Sequence, residues 1–264
     1  MVLSVPAVAS ELRPFSAEDV IFYLPFDEEQ SGYFTDPSGQ FDGEIVGSTD
    51  QIVASVIRGG VTFDSTGTYS HTGHVQMASP AELFGSSSGG SFTVSTIVTI
   101  SDENNIGGVY SFGTVTPVDV RLDVPNGGLQ MRFYGVGHQG PRIAQLIPAN
   151  EIEEGVPYHL VLVWDIPNLE TRGYVDGELV ATLSFQSTVD YFSENIDMAI
   201  SAIEYSGSYQ STFNGVVDEF VMLNRPLTDA EVSEVHDFYR NHDCCIINSR
   251  NIADLQVVVE SLLE

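Results

Sequence analysis

The chain has 264 residues and carries 37 Asp and Glu against nine basic residues, which gives a formal net charge of −28 at pH 7. This charge excludes nucleic acids and anionic membranes as partners bound through bulk electrostatics. The apolar content of 42% and the plentiful aromatic residues exclude disorder along the whole chain.

The basic residues are all Arg, and no Lys occurs anywhere in the chain. One interpretation is an acidic secreted protein from a moderate environment. We favour a protein that works at high salt, because dissolved ions screen the mutual repulsion of so many carboxylates. Complete absence of Lys in so long a chain is also difficult to reach by drift.

The N-terminal segment lacks the basic region of a secretory signal, and Pro6 interrupts its short apolar run. We therefore expect an uncleaved start at Met1. No apolar run approaches the 18 residues of a transmembrane helix, so membrane insertion is not expected. The predicted organisation is an N-terminal arm over 1–18, a β-sandwich over 19–243 and a C-terminal oligomerisation or docking helix over 244–264.

From Asp19 onward, short runs rich in Val, Ile, Phe, Tyr and Thr alternate with clusters of Gly, Pro, Asn and Asp. About a dozen strands at this spacing predict an antiparallel β-sandwich or jelly roll. Asp176-Gly177 predicts a type I′ hairpin turn between two of them. The runs are Val20–Pro25, Gly60–Phe63, Ser91–Ile100, Gly107–Phe112, Val118–Val124, Gly128–Tyr134, Tyr158–Trp164, Thr171–Val175, Glu178–Phe185, Met198–Ile203 and Val216–Leu223.

Helical patterns occur late in the chain. Thr228 and Glu231 have the spacing of a capping box, and apolar residues then recur on one face of a short helix. A second helix is predicted near the C-terminus, where four apolar residues form a heptad seam. This helix could fold back on its own sandwich, assemble a homo-oligomer with a trimer favoured, or dock on another protein. The seam residues are Ile252, Leu255, Val259 and Leu262.

The two cysteines, Cys244 and Cys245, are adjacent. A disulfide between neighbours closes a strained ring, so free thiols and intersubunit bridges both remain open. Two cysteines are too few for a disulfide scaffold or a cysteine zinc site.

The stretch from Asn214 to Val232 has the sequence NGVVDEFVMLNRPLTDAEV. It resembles the closing strand and the following helix start of laminin-G-like domains in the concanavalin A-like superfamily. Three earlier sets of segments resemble the same family in the same order, and the resemblance covers about residues 19–240. It implies an all-β fold: an antiparallel jelly-roll sandwich with a short helix after its last strand. The earlier sets are Phe22–Asp27 with Asp36–Gly43, Gly59–Asp64, and Tyr158–Trp164 with Gly173–Gly177.

The same fold hosts glucanases, whose paired carboxylates often follow an E-x-D-x-x-E pattern on one strand. No such string occurs, and Asp176 and Glu178 belong to the predicted hairpin. Neither a Ser-His-Asp set nor a metal spacing among His71, His74 and His138 is recognisable. We therefore expect a protein that is not an enzyme and has no catalytic residues.

The resemblance implies a structural calcium ion near the first and last strands, with Asp36, Asp42 and Asp218 as ligands. The alternative, which we favour, is that Asp36 and Asp42 cap turns and that Asp218 bonds to backbone at a strand edge.

Sugar recognition needs aromatic side chains on loops beside amide or carboxylate groups. Two stretches have this composition and supply the candidate glycan-binding residues. They are Tyr134 and His138 after one strand, and Tyr205 and Tyr209 in a later loop.

These features together favour a non-enzymatic structural recognition protein on the surface of an extracellular assembly. The leading hypothesis is a turret, spike or tail-fibre component of a virus that infects a halophilic host. It would bind host glycans or glycoproteins and contact other virion proteins through its termini. The alternatives are a carbohydrate-binding module of a secreted or cell-surface halophilic protein and, more remotely, a glycan hydrolase.

Overall fold

In a computed structural model, the described part of the chain forms two large antiparallel β-sheets, a two-stranded hairpin and one α-helix, which confirms the concanavalin A-like sandwich. The structure describes residues 14–16, 18–37, 41–47, 51–57, 59–64, 72–77, 90–102, 107–112, 118–123, 128–133, 142–184, 198–205, 208–210 and 212–241. Its strands are β1 Val20–Leu24, β2 Glu29–Gln30, β3 Tyr33–Phe34, β4 Gly43–Gly47, β5 Gln51–Ala54, β6 Gly59–Phe63, β7 Gly73–Met77, β8 Phe92–Ile100, β9 Gly107–Phe112, β10 Val118–Asp123, β11 Gly128–Phe133, β12 Arg142–Ile147, β13 Pro157–Asp165, β14 Glu170–Val175, β15 Glu178–Ser184, β16 Met198–Ile200, β17 Ile203–Tyr205, β18 Ser208–Gln210 and β19 Gly215–Leu223. Helix α1 covers residues 229–241.

The larger strands are divided between two facing sheets. The eight-stranded sheet has the order β15-β14-β13-β8-β19-β6-β5, and β1 also pairs with β19. The nine-stranded sheet has the order β12-β11-β10-β9-β16-β7-β4-β3-β2, and β17 and β18 form a separate hairpin. Because β19 pairs with β8, β6 and β1, the closing strand of the sequence motif lies inside its sheet and joins distant parts of the chain.

The main core lies between the two sheets and is rich in aromatic side chains. Phe22 stacks on Phe220 at 5.9 Å between ring centroids, and Tyr110 meets Phe220 edge-on at 5.4 Å. Phe92 stacks on Trp164 at 5.9 Å. Side chains alternate between the two faces of a strand, so every second residue contributes to this layer.

A second core lies between the eight-stranded sheet and α1. The helix buries Val232, Val235 and Tyr239 against Val161 and Val163 of β13. Strand β13 is therefore covered on both faces, which explains why its sequence is apolar without alternation.

The start of α1 has the capping box that the sequence predicts. The amide of Thr228 donates to Glu231 Oε2 at 2.8 Å, and the amide of Glu231 donates to Thr228 Oγ1 at 3.3 Å. Arg225 binds both Glu231 at 2.8 Å and Asp19 at 2.8 Å, so the helix start is tied to the chain just before β1. The hydrogen bond that Arg225 donates to Glu231 lowers the pKa of Glu231 to about 2.

The predicted hairpin turn also forms. Asp176 and Gly177 have φ values of 50° and 84°, as a type I′ turn requires. The predicted arm over 1–18 is described only at 14–16 and 18, and the predicted helix over 244–264 lies outside the described residues. Ile252, Leu255, Val259, Leu262, Cys244 and Cys245 therefore stay predictions. No described helix is long and apolar enough to cross a membrane.

Replacing Phe220 by Ala is expected to lower the free energy of unfolding by about 3–5 kcal/mol, because it leaves a cavity between two stacked layers. The matched control is Ile52→Ala, since Ile52 is 39% exposed on β5. That control is expected to stay within about 0.5 kcal/mol of the wild type. Denaturant unfolding of both variants measures the difference, and equal losses would contradict the assignment of the core.

Candidate functional site

The predicted glycan-binding residues fall in two places. Tyr134 and His138 lie outside the described residues, in the connection between β11 and β12. Tyr205 and Tyr209 belong to the β17–β18 hairpin, where Tyr209 pairs with Glu204 and Tyr205 pairs with Ser208. The hairpin follows Ala202, whose carbonyl accepts a hydrogen bond from Ser111 of β9 at 2.9 Å. Contact of these four residues with a sugar stays a prediction.

Two of the predicted calcium ligands hold one loop together. Asp36 is 1% exposed and accepts the amides of Tyr23 at 3.2 Å and Phe41 at 3.4 Å. Asp42 accepts the amide of Asp36 at 3.0 Å. These contacts are those of carboxylates that stabilise turns.

The third predicted ligand, Asp218, accepts the amide of Ile57 at 3.3 Å. Over the described ranges, no three His, Cys, Asp or Glu side chains are grouped so that they could hold a metal ion. Asp36, Asp42 and Asp218 are therefore not gathered around one point, and calcium binding stays a prediction.

The Asp-Glu pair of the sequence motif lies in a bulge of β19. The pairing of β19 with β8 shifts between Asp218 and Val221, and Glu219 has a positive φ of 51°. Both carboxylates are buried, and the hydroxyl of Tyr23 donates a hydrogen bond to Glu219. Burial, followed by the charge of Glu219, raises the pKa of Asp218 well above its usual range. Neither carboxylate is accessible to a ligand.

A histidine and a serine meet beneath α1. Nε2 of His159 lies 2.8 Å from Oγ of Ser95, and the His159 ring stacks on His236 at 5.8 Å. Burial lowers the pKa of His159 to about 3, and the nearby His236 adds to this effect. The pair resembles a nucleophile with its base, but both residues are buried in the second core, where no substrate reaches them.

An open pocket of about 480 Å³ lies between the β13–β14 turn and the start of α1. Its centre is Arg172, which lies 2.6 Å from Asp229, 3.4 Å from Glu170 and 3.6 Å from Asp165. Arg172 also donates to the carbonyl of Leu227 at 2.9 Å. Because one guanidinium holds three carboxylates and a carbonyl, this group attaches α1 to the sheet.

The outer face of the nine-stranded sheet carries a different polar group. Leu129 and Met131 of β11 are buried in the main core, so Gln130 and Arg132 alternate toward the other face. Gln130 is only 8% exposed there, and Arg132 is half-buried. Arg132 donates to Gln130 Oε1 from Nε at 3.2 Å and from Nη2 at 3.0 Å.

Strand β12 continues this surface, since Gln130 pairs with Gln145 and Arg132 pairs with Ile143. Gln145 is exposed, and Ile143 is 45% exposed. We call these four residues the β11–β12 face. Sequence reasoning missed Gln130, although the Leu-Gln-Met-Arg alternation within a predicted strand contained the signal. Arg132 begins the stretch that contains the candidates Tyr134 and His138.

A model of the family described as "Concanavalin A-like lectin/glucanases superfamily" matches residues 66–233, well over half of the chain. The chain belongs to this superfamily. A search of curated protein sequences finds no match.

Solved structures with the same fold include parts of larger enzymes and a binding domain. Domain 4 of AbnA, an extracellular GH43 arabinanase of Geobacillus stearothermophilus in complex with arabinotriose, is similar at a TM-score of 0.61 and 16% identity, covering 83% of this chain and 98% of that one. A mutant Trypanosoma rangeli sialidase with trans-sialidase activity is similar at a TM-score of 0.60 and 17% identity over 85% of this chain. The match spans 33% of the sialidase.

The binding domain of Paraclostridial Mosquitocidal Protein 1 has a TM-score of 0.61 and 16% identity. That match covers 84% of this chain and 52% of that binding domain. At such identities the likeness shows a shared fold alone.

The buried His159 predicts a pH dependence of stability. The pKa of His159 is about 3 in the folded state and about 6.5 in the unfolded state. Its contribution to the free energy of unfolding is therefore complete above pH 6.5 and declines as the pH falls toward 3. The pKa of Asp218 is raised, so its contribution to the free energy of unfolding declines as the pH rises. This contribution is the same in the wild type and in the variant. Between pH 7 and pH 4, the free energy of unfolding should fall by about 3 kcal/mol more in the wild type than in His159→Gln, because the variant has no titrating ring at this position.

Urea unfolding at several pH values and constant salt measures this difference. Parallel pH profiles of the two proteins would contradict a buried, neutral His159.

Proposed function

We propose that the chain is a non-enzymatic recognition module that binds a glycan or glycoprotein through the β11–β12 face. The observation that carries this proposal is the guanidinium of the half-buried Arg132, which the buried amide oxygen of Gln130 holds in place on the outer side of a sheet whose inner side is core. Guanidinium and amide groups are donors and acceptors that match sugar hydroxyls. The arabinanase domain that was solved with arabinotriose has the same fold, which supports the proposal.

Among the residues that the structure describes, the contacts of the acidic side chains at Asp218 and around Arg172 argue against catalysis. A glycoside hydrolase needs two carboxylates that face the substrate, one of them with a raised pKa. Asp218 has a raised pKa but is completely buried, and the carboxylates around Arg172 are engaged by its guanidinium. A glycan hydrolase is therefore the least supported alternative.

The proposed setting is the surface of an extracellular assembly, with a virion turret, spike or tail fibre of a halophilic host's virus as the leading hypothesis. The net charge of −28 and the absence of Lys support work at high salt. A carbohydrate-binding module of a secreted or cell-surface halophilic protein is the alternative, since it needs the same surface. Genes next to the coding sequence distinguish the two settings.

We further propose that the chain assembles into a homo-oligomer, with a trimer favoured, and contacts other virion proteins through its termini. The heptad seam of Ile252, Leu255, Val259 and Leu262 supports this proposal, because such a seam needs an apolar partner. Edge strand β15 also leaves Leu179 and Val180 exposed at 46% and 45%.

Replacing Arg132 by Ala is expected to weaken glycan binding at least ten-fold, since a hydrogen bond from a charged donor contributes about 1.5–3 kcal/mol. The matched control is Arg240→Ala, which removes the same charge from an exposed position on α1. A glycan array in molar salt identifies the ligand for the wild type, and calorimetric titration compares the two variants. Equal affinities for both variants would exclude the β11–β12 face as the binding surface.

A further inference from the structure

The opposite end of the nine-stranded sheet carries an aromatic ring, a carboxylate and an amide in one line. Tyr33 of β3 pairs with Glu44 of β4, and Glu44 pairs with Gln76 of β7. The neighbours Phe34 and Val75 are buried in the main core, so alternation directs these three residues to the outer face. We call them the Tyr33 row.

The Tyr33 side chain is 43% exposed although its backbone is firmly held. Ser31 and Gly32 form a tight turn with φ values of 56° and 87°, and the Gly32 amide donates to Glu29 Oε1 at 2.7 Å. The Gly32 carbonyl accepts the amide of Ile45 at 2.8 Å. A ligand that stacks on Tyr33 therefore meets a preorganised backbone, and little conformational entropy is lost on binding.

The chemistry of the row matches a sugar ring. A tyrosine ring offers an apolar face to the C–H face of a pyranose, while carboxylate and amide groups bond its hydroxyls. Adjacent strands are separated by about 4.8 Å, so the line from Tyr33 to Gln76 extends about 10 Å. This length accommodates one sugar ring and part of the next.

Charge restricts the kind of sugar. Glu44 lies directly across from Tyr33, and Glu29 is in the same hairpin. Both carboxylates are exposed and repel a carboxylated or sulfated sugar. The β11–β12 face, by contrast, presents Arg132.

We propose that the Tyr33 row is a second glycan subsite, which stacks an uncharged pyranose on Tyr33 and bonds its hydroxyls through Glu44 and Gln76. This inference rests on the proposed function, since it assigns a further subsite and a sugar class to the same sheet.

The test uses the full chain and titrates it with cellotriose, mannotriose and chitotriose as uncharged probes and with sialyllactose as the anionic probe. Tyr33→Ala removes the ring, Tyr33→Phe keeps it, and Ile52→Ala is the control because Ile52 is 39% exposed on the other sheet. We expect the wild type to bind an uncharged probe, with about ten-fold weaker binding for Tyr33→Ala. Tyr33→Phe and Ile52→Ala should stay within about two-fold of the wild type.

Unchanged affinity of Tyr33→Ala for an uncharged probe that the wild type binds would overturn this subsite and leave the proposed function intact. Binding of sialyllactose alone would also overturn it. Failure of the wild type to bind any of the probes overturns the subsite, and failure on a full glycan array contradicts the proposed function as well. Circular dichroism of each variant checks that the fold is retained.

Discussion

At the centre of the eight-stranded sheet, the hydroxyl of Tyr23 donates a hydrogen bond to the buried carboxylate of Glu219. Glu219 has a positive φ, a conformation that costs a non-glycine residue on the order of 1–3 kcal/mol. The hydrogen bond offsets part of this cost and joins the first strand of the sandwich to the last. The bulge separates the part of β19 that pairs with β6, Gly215–Val217, from the part that pairs with β1, Phe220–Leu223.

This arrangement determines which surface is available for recognition. The inner face of the eight-stranded sheet packs on the main core, and its outer face is covered by α1 and the second core. The nine-stranded sheet has one face in the main core, while its outer face carries Gln130, Arg132, Gln145 and the Tyr33 row. The Asp218–Glu219 pair of the sequence motif is buried, so the proposed recognition depends on other residues.

Much of the fold could be predicted from the sequence, because its longer strands are apolar runs bounded by turn residues. Each of the eleven predicted runs overlaps a strand, and the capping box at Thr228 and the turn at Asp176 form as expected. Strands β4, β7 and β12 were not predicted, since Gly, His, Gln and Arg interrupt their apolar pattern. The shortest strands, β2 and β3, contain too few residues for any periodicity to appear.

The candidate site was less predictable, because its residues come together only through strand register. Tyr33, Glu44 and Gln76 are separated in sequence, and nothing local indicates that they share one line. The burial of Asp218 could not be predicted either, since it depends on the loop at Ile57. Calcium, which the family resemblance implies, depends on the same register and stays a prediction.

Ligand binding on the outer face of the nine-stranded sheet is the proposal on which the other functional proposals depend. It is tested most directly by backbone chemical-shift mapping of the full chain during titration with the glycan that binds best. The expected shifts concentrate on the nine-stranded sheet, at Gln130 and Arg132 or at the Tyr33 row, while α1 and β13 stay unchanged. Shifts confined to the Arg172 pocket or to α1, with none on the nine-stranded sheet, would contradict it.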